Sequence, residues 1–118
     1  MQPTDIVGLD WEGVITEYPT AMAALVQRFS ACVIITQMRS LTSTRAARYL
    51  QTNPRTIQVE ICPCGREGDY QEWKGEMFMK HRVSLYLDDD PTVVQACKQQ
   101  HIPAVLVGRI PEYVQQSL

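Results

Sequence analysis

Five short apolar runs, regularly spaced along the chain, limit its possible folds more than any other feature of the sequence. Each run has four or five residues rich in Val, Ile or Leu, which is too short for a buried helix and typical of a buried strand. The runs are residues 6–9, 32–35, 57–61, 83–87 and 104–107. Between them, apolar side chains recur at the spacing of an amphipathic helix. The sequence therefore predicts strands that alternate with helices.

Apolar strands separated by helices of about 10 to 15 residues are typical of a parallel sheet covered on both faces. The connections between such strands are right-handed. We therefore expect an α/β fold, a doubly wound, Rossmann-like sheet of five parallel strands flanked by helices. The length of 118 residues fits one domain over residues 1–118.

The composition is that of an ordinary globular protein, with 45% apolar residues and a net charge of −2. The chain as a whole has no excess of Lys and Arg that would indicate a nucleic-acid or membrane surface, and a local basic patch remains open. No signal-like segment or membrane-length apolar run is present in the sequence. We therefore expect a cytoplasmic protein with reduced cysteines and no membrane partner. Cys62 and Cys64 form one close pair, without the second pair or histidines of a structural zinc site.

Polar residues follow three of the predicted strands. They are Asp10 after the first run, with Glu12 close behind, Thr36 after the second, and Asp88, Asp89 and Asp90 after the fourth. The carboxyl ends of parallel strands meet at one edge of a sheet, where α/β proteins bind their ligands. We therefore expect these side chains to lie close together.

Carboxylates gathered in this way need a cation nearby. Two like charges about 4 Å apart repel by about 4 kcal/mol at an effective dielectric of about 20. Asp10 with Asp88 or Asp89 offers hard oxygen ligands, and so few protein ligands, with room for water, suit magnesium better than calcium. Lys74, which precedes the fourth run, would add a positive charge.

Several of these residues also have an ordinary structural explanation. Asp90 before Pro91 is typical of a helix start, and we favour a capping role for it. Lys74 and Lys80 could both be solvated surface lysines, and Thr36 could merely end a strand.

The same choice applies to residues near the acids. Trp11 and Trp73 flank the site, but packing in the core is the commoner role of tryptophan. Arg39 and Arg66 could reach a phosphate, and the sequence alone does not decide whether they lie near the site.

Four segments of the chain carry a wider resemblance. They are Asp10-Trp11-Glu12-Gly13-Val14, Thr36 after CVII, Lys74 within EWKGEMFMKH, and VSLYLDDDPTVV with Asp88 and Asp89. In their order and placement they resemble the four motifs of the haloacid dehalogenase superfamily of phosphatases and phosphotransferases. The resemblance covers nearly the whole chain, and the first and fourth motifs together are its most specific part.

The resemblance implies a catalytic role for four residues. Asp10 would be the nucleophile that attacks phosphorus and forms an aspartyl-phosphate. Glu12 would protonate the leaving group and then activate water. Thr36 would bind a phosphoryl oxygen, and Lys74 would neutralise charge near Asp10.

The resemblance also implies a magnesium cofactor. Asp88 and Asp89 would anchor Mg²⁺, and Asp10 and the main-chain carbonyl of Glu12 would complete the protein ligands. Gly13 would permit the tight turn that leaves the first strand.

The superfamily's large members insert a cap domain after the first motif or before the lysine motif, and here those gaps are only residues 16–20 and 62–72. The resemblance therefore implies a chain without a cap, whose phosphorylated substrate is bulky, such as a nucleic-acid end or a protein. A neighbouring copy of the chain could instead cover the site. Residues 111–118, mildly amphipathic, could form a last helix against the sheet or a second subunit.

A second hypothesis is a catalytically silent relative that binds a partner or a phosphorylated ligand. It rests on Glu12, because the superfamily's phosphatases usually have aspartate there, although some branches carry glutamate. A receiver domain fits less well. Receivers are phosphorylated on an aspartate after the third strand, whereas the third run here ends in Ile61 and Cys62.

Overall fold

The computed structural model describes residues 5–108, and over this range the chain forms five strands and four helices. The strands are β1 (Ile6–Asp10), β2 (Ala31–Thr36), β3 (Ile57–Ile61), β4 (Leu85–Asp88) and β5 (Ala104–Leu106). The helices are α1 (Pro19–Val26), α2 (Ser43–Leu50), α3 (Tyr70–His81) and α4 (Pro91–Gln99). Strands and helices alternate, with two 3₁₀ turns at Pro54–Thr56 and Glu67–Asp69.

The strands form one parallel sheet in the order β3-β2-β1-β4-β5. The chain winds outward from β1 to β3, then crosses to the other side of β1 and continues through β4 and β5. This confirms the predicted doubly wound α/β fold. The direction of winding reverses between β1 and β4, and the carboxyl ends of these strands form the crevice where such sheets bind ligands.

Each face of the sheet has its own core. Cys32 and Ile34 of β2 point to the face covered by α1 and α2, whereas Val33 and Ile35 point to the face covered by α3 and α4. This alternation follows from the two-residue period of a strand. Because both faces are covered, the central strands are apolar almost throughout.

The element ends differ from the sequence pattern in places that the backbone explains. The fourth run begins at Val83, but β4 begins at Leu85, because the Val83 amide donates to the Phe78 carbonyl at the end of α3, 3.1 Å away. Phe29 fits the helical spacing of α1 but lies beyond its end. Its amide closes a short turn on the Val26 carbonyl, and its ring still packs against the core.

Two further expectations concern the membrane and the carboxyl end. None of the helices within residues 5–108 is both long enough and apolar enough to cross a bilayer. The helix predicted over residues 111–118 lies outside the described residues.

Candidate functional site

The point where the winding reverses brings together the acids of two strands. Leu9 pairs with Leu87, so the residues that follow them, Asp10 and Asp88, lie side by side at the ends of β1 and β4. Both residues are buried, and Asp89 lies beside them at the surface. The carboxylate oxygens of Asp10, Asp88 and Asp89 lie within 4.8 Å of one another. The structure therefore gathers three of the predicted metal ligands at one point.

The chain leaves β1 through a tight turn. Glu12 (φ −73°, ψ 126°) and Gly13 (φ 83°, ψ −10°) have the dihedral angles of the two central residues of a type II turn. Gly13 is required there for two reasons. Its φ is one that side chains disfavour, and a Cβ atom at this position would overlap the Asp89 carboxylate. The turn thus brings the main chain against the candidate metal ligands.

Lys74 enters the cluster from α3 and is buried, in contrast to an ordinary surface lysine. Its Nζ donates to Asp88 Oδ2 at 2.8 Å and lies 3.5 Å from Asp10 Oδ1. Burial alone would lower the pKa of Lys74, but the nearby charges of Asp10 and Asp88 outweigh it and raise the pKa. Lys74 therefore stays charged. Lys80, on the same helix, is exposed and faces Glu60 instead.

The Asp88 carboxylate is held from three sides. Oδ2 accepts hydrogen bonds from Lys74 and from the Tyr86 hydroxyl, and Oδ1 accepts one from the Asp90 amide at 2.9 Å. Because these donors come from a helix, a strand and a loop, the orientation of Asp88 is fixed before any ligand binds.

The Asp10 carboxylate, in contrast, has too few hydrogen-bond donors among the described residues. Its Oδ1 is buried and accepts no hydrogen bond from any described residue. Burial raises the pKa of Asp10 to about 9, Asp88 adds to the rise, and Lys74 opposes it only in part. A divalent cation would satisfy this oxygen and favour the ionised carboxylate. Three carboxylates with one unsatisfied oxygen therefore fit Mg²⁺, for which Asp10, Asp88, Asp89 and the Glu12 carbonyl are the candidate ligands.

Thr36, fully buried at the end of β2, holds Glu12. The Thr36 hydroxyl donates to Glu12 Oε1 at 2.6 Å and accepts a hydrogen bond from the Met38 amide at 2.9 Å. Thr36 therefore does more than end a strand, because its hydrogen bond fixes the Glu12 side chain above the C-terminal ends of the strands.

The capping prediction for Asp90 is confirmed. Asp90 Oδ1 accepts from the Thr92 amide at 2.9 Å, with Pro91 in the first turn of α4. Trp11 and Trp73 are both buried in the core, Trp11 in a T-shaped contact with Tyr49 and Trp73 stacked on Tyr70.

Arg39 and Arg66 both form ion pairs with acids of the loop before α3 or of α3 itself. Arg39 lies 3.4 Å from Glu67, and Arg66 forms ion pairs with Asp69 and Glu76. These pairs connect the loop before α3 to Arg39 and to Glu76 of α3. The cysteines are all free: Cys32, Cys62 and Cys97 are buried and Cys64 is exposed.

Sequence reasoning missed two tyrosines of the site. Tyr86 lies two residues before Asp88 on one face of β4, and its hydroxyl donates to that acid. Tyr70 lies four residues before Lys74 on α3, with its ring centroid 4.5 Å from Lys74 Nζ. The two spacings are visible in the sequence, but Tyr86 sits inside an apolar run and is predicted as core.

The acids line an open cavity of about 290 Å³. Its walls include Asp10, Glu12, Gln37, Tyr70, Lys74 and Asp89. Glu12, Gln37 and Asp89 are exposed, so a ligand has direct access to the acids. The arrangement can hold a cation beside a carboxylate and an ammonium group, with a second carboxylate, Glu12, at the mouth.

No protein-family model matches the chain, and no curated protein matches it either.

Proposed function

We propose that the protein is a magnesium-dependent phosphomonoester hydrolase of the haloacid dehalogenase type, which works through an aspartyl-phosphate. The observation that carries this proposal is the meeting of Asp10, Asp88 and Asp89 within 4.8 Å, with the buried Lys74 beside them. A carboxylate nucleophile attacking a phosphate dianion needs this concentration of positive charge, from lysine and metal together.

In the first half of the reaction, an Asp10 oxygen attacks the phosphorus and forms the acyl phosphate. The bond from phosphorus to the ester oxygen breaks, and protonated Glu12 donates its proton to that oxygen, so that an alcohol leaves. Lys74 holds positive charge beside Asp10 during this step.

In the second half, Glu12 accepts a proton from a water molecule that attacks the phosphorus. The bond between phosphorus and the Asp10 oxygen breaks, which releases inorganic phosphate and restores the carboxylate. Bound Mg²⁺ would supply charge neutralisation for the phosphoryl oxygens. The Thr36 hydroxyl keeps Glu12 over the cavity between the two steps.

The substrate in this proposal is a phosphate group at the end or on the surface of a larger molecule. Between β1 and α1 the chain has only eight residues, and eight lie between β3 and α3, so neither connection in the described structure contains a cap. A site without a lid accepts a bulky nucleic-acid end or a phosphoprotein.

The test is phosphate release from an aryl phosphate, phosphopeptides and oligonucleotides with 3' or 5' phosphates, with Mg²⁺ and with EDTA. We expect release that requires Mg²⁺ and falls by about 10³-fold or more in Asp10→Asn. Lys74→Gln should lose most of the activity, whereas Lys80→Gln, on the exposed side of the same helix, should keep it. Absence of turnover by the native protein across the panel would count against the proposal.

A second candidate is a module that binds a phosphorylated ligand without hydrolysing it. The hydrogen bond from Thr36 to Glu12 favours it, because the two groups are occupied with each other. Beryllium fluoride with Mg²⁺ distinguishes the candidates. Stabilisation of the native protein that disappears in Asp10→Asn supports the enzyme, and tight binding of a phosphopeptide or phosphorylated oligonucleotide without phosphate release supports the module.

A further inference from the structure

The net charge of −2 hides a strong separation of charge along the chain. Residues 18–59 contain five arginines and no acidic residue, whereas residues 60–90 contain eight acidic residues and four Lys or Arg. The first of these segments forms α1, β2 and α2, and the second forms α3 and β4. On one face of the sheet, α2 is therefore basic and α1 has no charged residue, whereas the excess of acids in the second segment lies in the site and in the loop before α3.

Three of the arginines lie in α2 or within five residues of its end. Arg45 and Arg48 are exposed and three residues apart, so they lie on one side of that helix. Arg55 is exposed in the 3₁₀ turn that follows, and Arg48 lines a hollow with the neighbouring Asn53 and Pro54. We call Arg45, Arg48 and Arg55 the basic surface.

The guanidinium groups of the basic surface have no acidic partner among residues 5–108. On the opposite face, Arg66, Lys74 and Lys80 form ion pairs, whereas Arg82 and Lys98 have no acidic partner among residues 5–108. The basic surface differs from that face because its own segment, residues 18–59, contains no acidic residue. Three like charges on a short segment repel each other, and nothing in the described fold requires them. A ligand that supplies the missing negative charge explains why they are there.

We propose that the basic surface binds the phosphate backbone of a nucleic acid. The guanidinium group matches phosphate oxygens with two parallel hydrogen bonds, which a lysine cannot do. Exposed polar side chains of the kind that contact nucleic-acid backbones lie among the arginines, namely Thr44, Gln51 and Asn53. Tyr49, partly exposed next to Arg48, offers an aromatic ring to a base or sugar.

Two other anionic partners fit the surface less well. A membrane-surface helix needs large apolar side chains to insert, but α1 exposes mainly alanine and threonine, and α2 exposes only Tyr49 among large apolar residues. A protein interface normally has an apolar centre, whereas the exposed residues between the arginines are polar apart from Tyr49 and Pro54.

The inference does not rest on the proposed enzymatic function. Backbone binding is sequence-independent, and the surface is separate from the acids of the site. Its test therefore uses oligonucleotides without a terminal phosphate, and includes Asp10→Asn, which should bind like the native protein.

The experiment measures fluorescence anisotropy of labelled single-stranded and duplex DNA and RNA of about 20 nucleotides, in EDTA, over salt from about 50 to 200 mM. EDTA prevents Mg²⁺ from bridging the acids to a phosphate. We compare the native protein with Arg45→Gln/Arg48→Gln and with Arg55→Gln. The matched control is Lys80→Gln/Lys98→Gln, which removes two exposed charges from the other face.

We expect the native protein to bind, and the double arginine variant to bind about tenfold or more weakly at low salt. The slope of log affinity against log salt should fall by about 0.9 per arginine removed for duplex DNA. Three results would overturn the proposal. They are no binding at about 50 mM salt, an equal loss in the lysine control, and equal competition by polyglutamate or by anionic lipid vesicles.

Discussion

At the scale of single residues, the buried charged groups of the site lower the stability of the fold. Asp10, Asp88 and Lys74 are all buried, and removing ionisable groups from water costs several kcal/mol per ion, which ion pairing offsets only in part. Asp10 Oδ1 even lacks a hydrogen bond from any of residues 5–108. A fold chosen for stability alone would place apolar side chains there, so this arrangement indicates binding or chemistry.

Gly13 provides a prediction at this scale. Gly13→Ala should destabilise the protein by about 1–3 kcal/mol, because Ala is strained at φ 83° and its methyl group would displace the Asp89 carboxylate. Mg²⁺ binding should weaken in the same variant. Urea unfolding and calorimetric titration with Mg²⁺ measure the two effects.

The control is Gly75→Ala, which lies within α3 and has no atom near an added Cβ. It should stabilise the protein by up to about 1 kcal/mol through helix propensity and leave Mg²⁺ binding intact. If Gly13→Ala binds Mg²⁺ like the native protein, the turn does not position Asp89.

At the scale of elements, α2 and α4 begin at a side-chain cap, whereas α1 and α3 begin without one. The Thr42 side chain accepts from the Arg45 amide at 3.1 Å at the start of α2, and Asp90 does the same for α4. The helices end differently, since α2 and α3 are followed by Gln51 and Arg82 in the left-handed conformation, where glycine is the usual residue.

Thr42→Ala should therefore destabilise the protein by about 1 kcal/mol, because an amide of the first turn of α2 loses its partner. The midpoint of urea unfolding should fall with an unchanged slope. Thr44→Ala, an exposed substitution inside the same helix, should change stability by less than about 0.5 kcal/mol. Equal effects of the two substitutions would mean that Thr42 does not act as a cap.

At the scale of the whole molecule, the site connects strands that are far apart in the sequence. Asp10 and Asp88 belong to neighbouring strands, and Lys74 reaches them from a helix on one face. Ligand binding at this point should therefore stabilise the whole sheet rather than a single loop. A metal at 100 times its dissociation constant adds about 2.7 kcal/mol to the free energy of unfolding.

The pH dependence of stability tests this connection. The pKa of Asp10 is raised by burial and by Asp88 to about 9 in the folded protein, so folding favours the protonated acid. That contribution is fully present below the ordinary pKa of 3.8 and is lost as the pH rises toward about 9. In EDTA, the native protein should therefore lose stability over this range relative to Asp10→Asn, which mimics the protonated form.

Mg²⁺ should reverse the trend, because it competes with the proton on Asp10 and stabilises the native protein more as the pH rises. Thermal unfolding from pH 5 to pH 9, with EDTA or with Mg²⁺, measures both effects. This range lies between the ordinary pKa of Asp10, 3.8, and its raised pKa, about 9. If stability depends on pH in the same way for the native protein and Asp10→Asn in EDTA, ionisation of Asp10 does not cause the loss of stability.

Local features of the sequence were enough to predict the strands, the parallel α/β sheet and the cap at Asp90. The reason is that hydrophobic period and capping chemistry depend on residues only a few positions apart. The polar residues at the strand ends were also visible, since parallel strands place these ends at one edge of the sheet.

Only the tertiary structure decided which groups meet. The strand order places β4 beside β1, and Lys74 is buried while Lys80 on the same helix is exposed. The same packing separates the arginines of α2, which have no acidic partner within the described part of the chain, from the acids of α3. Such distances depend on how whole elements pack, because residues far apart in sequence become neighbours only when the sheet and its helices have formed.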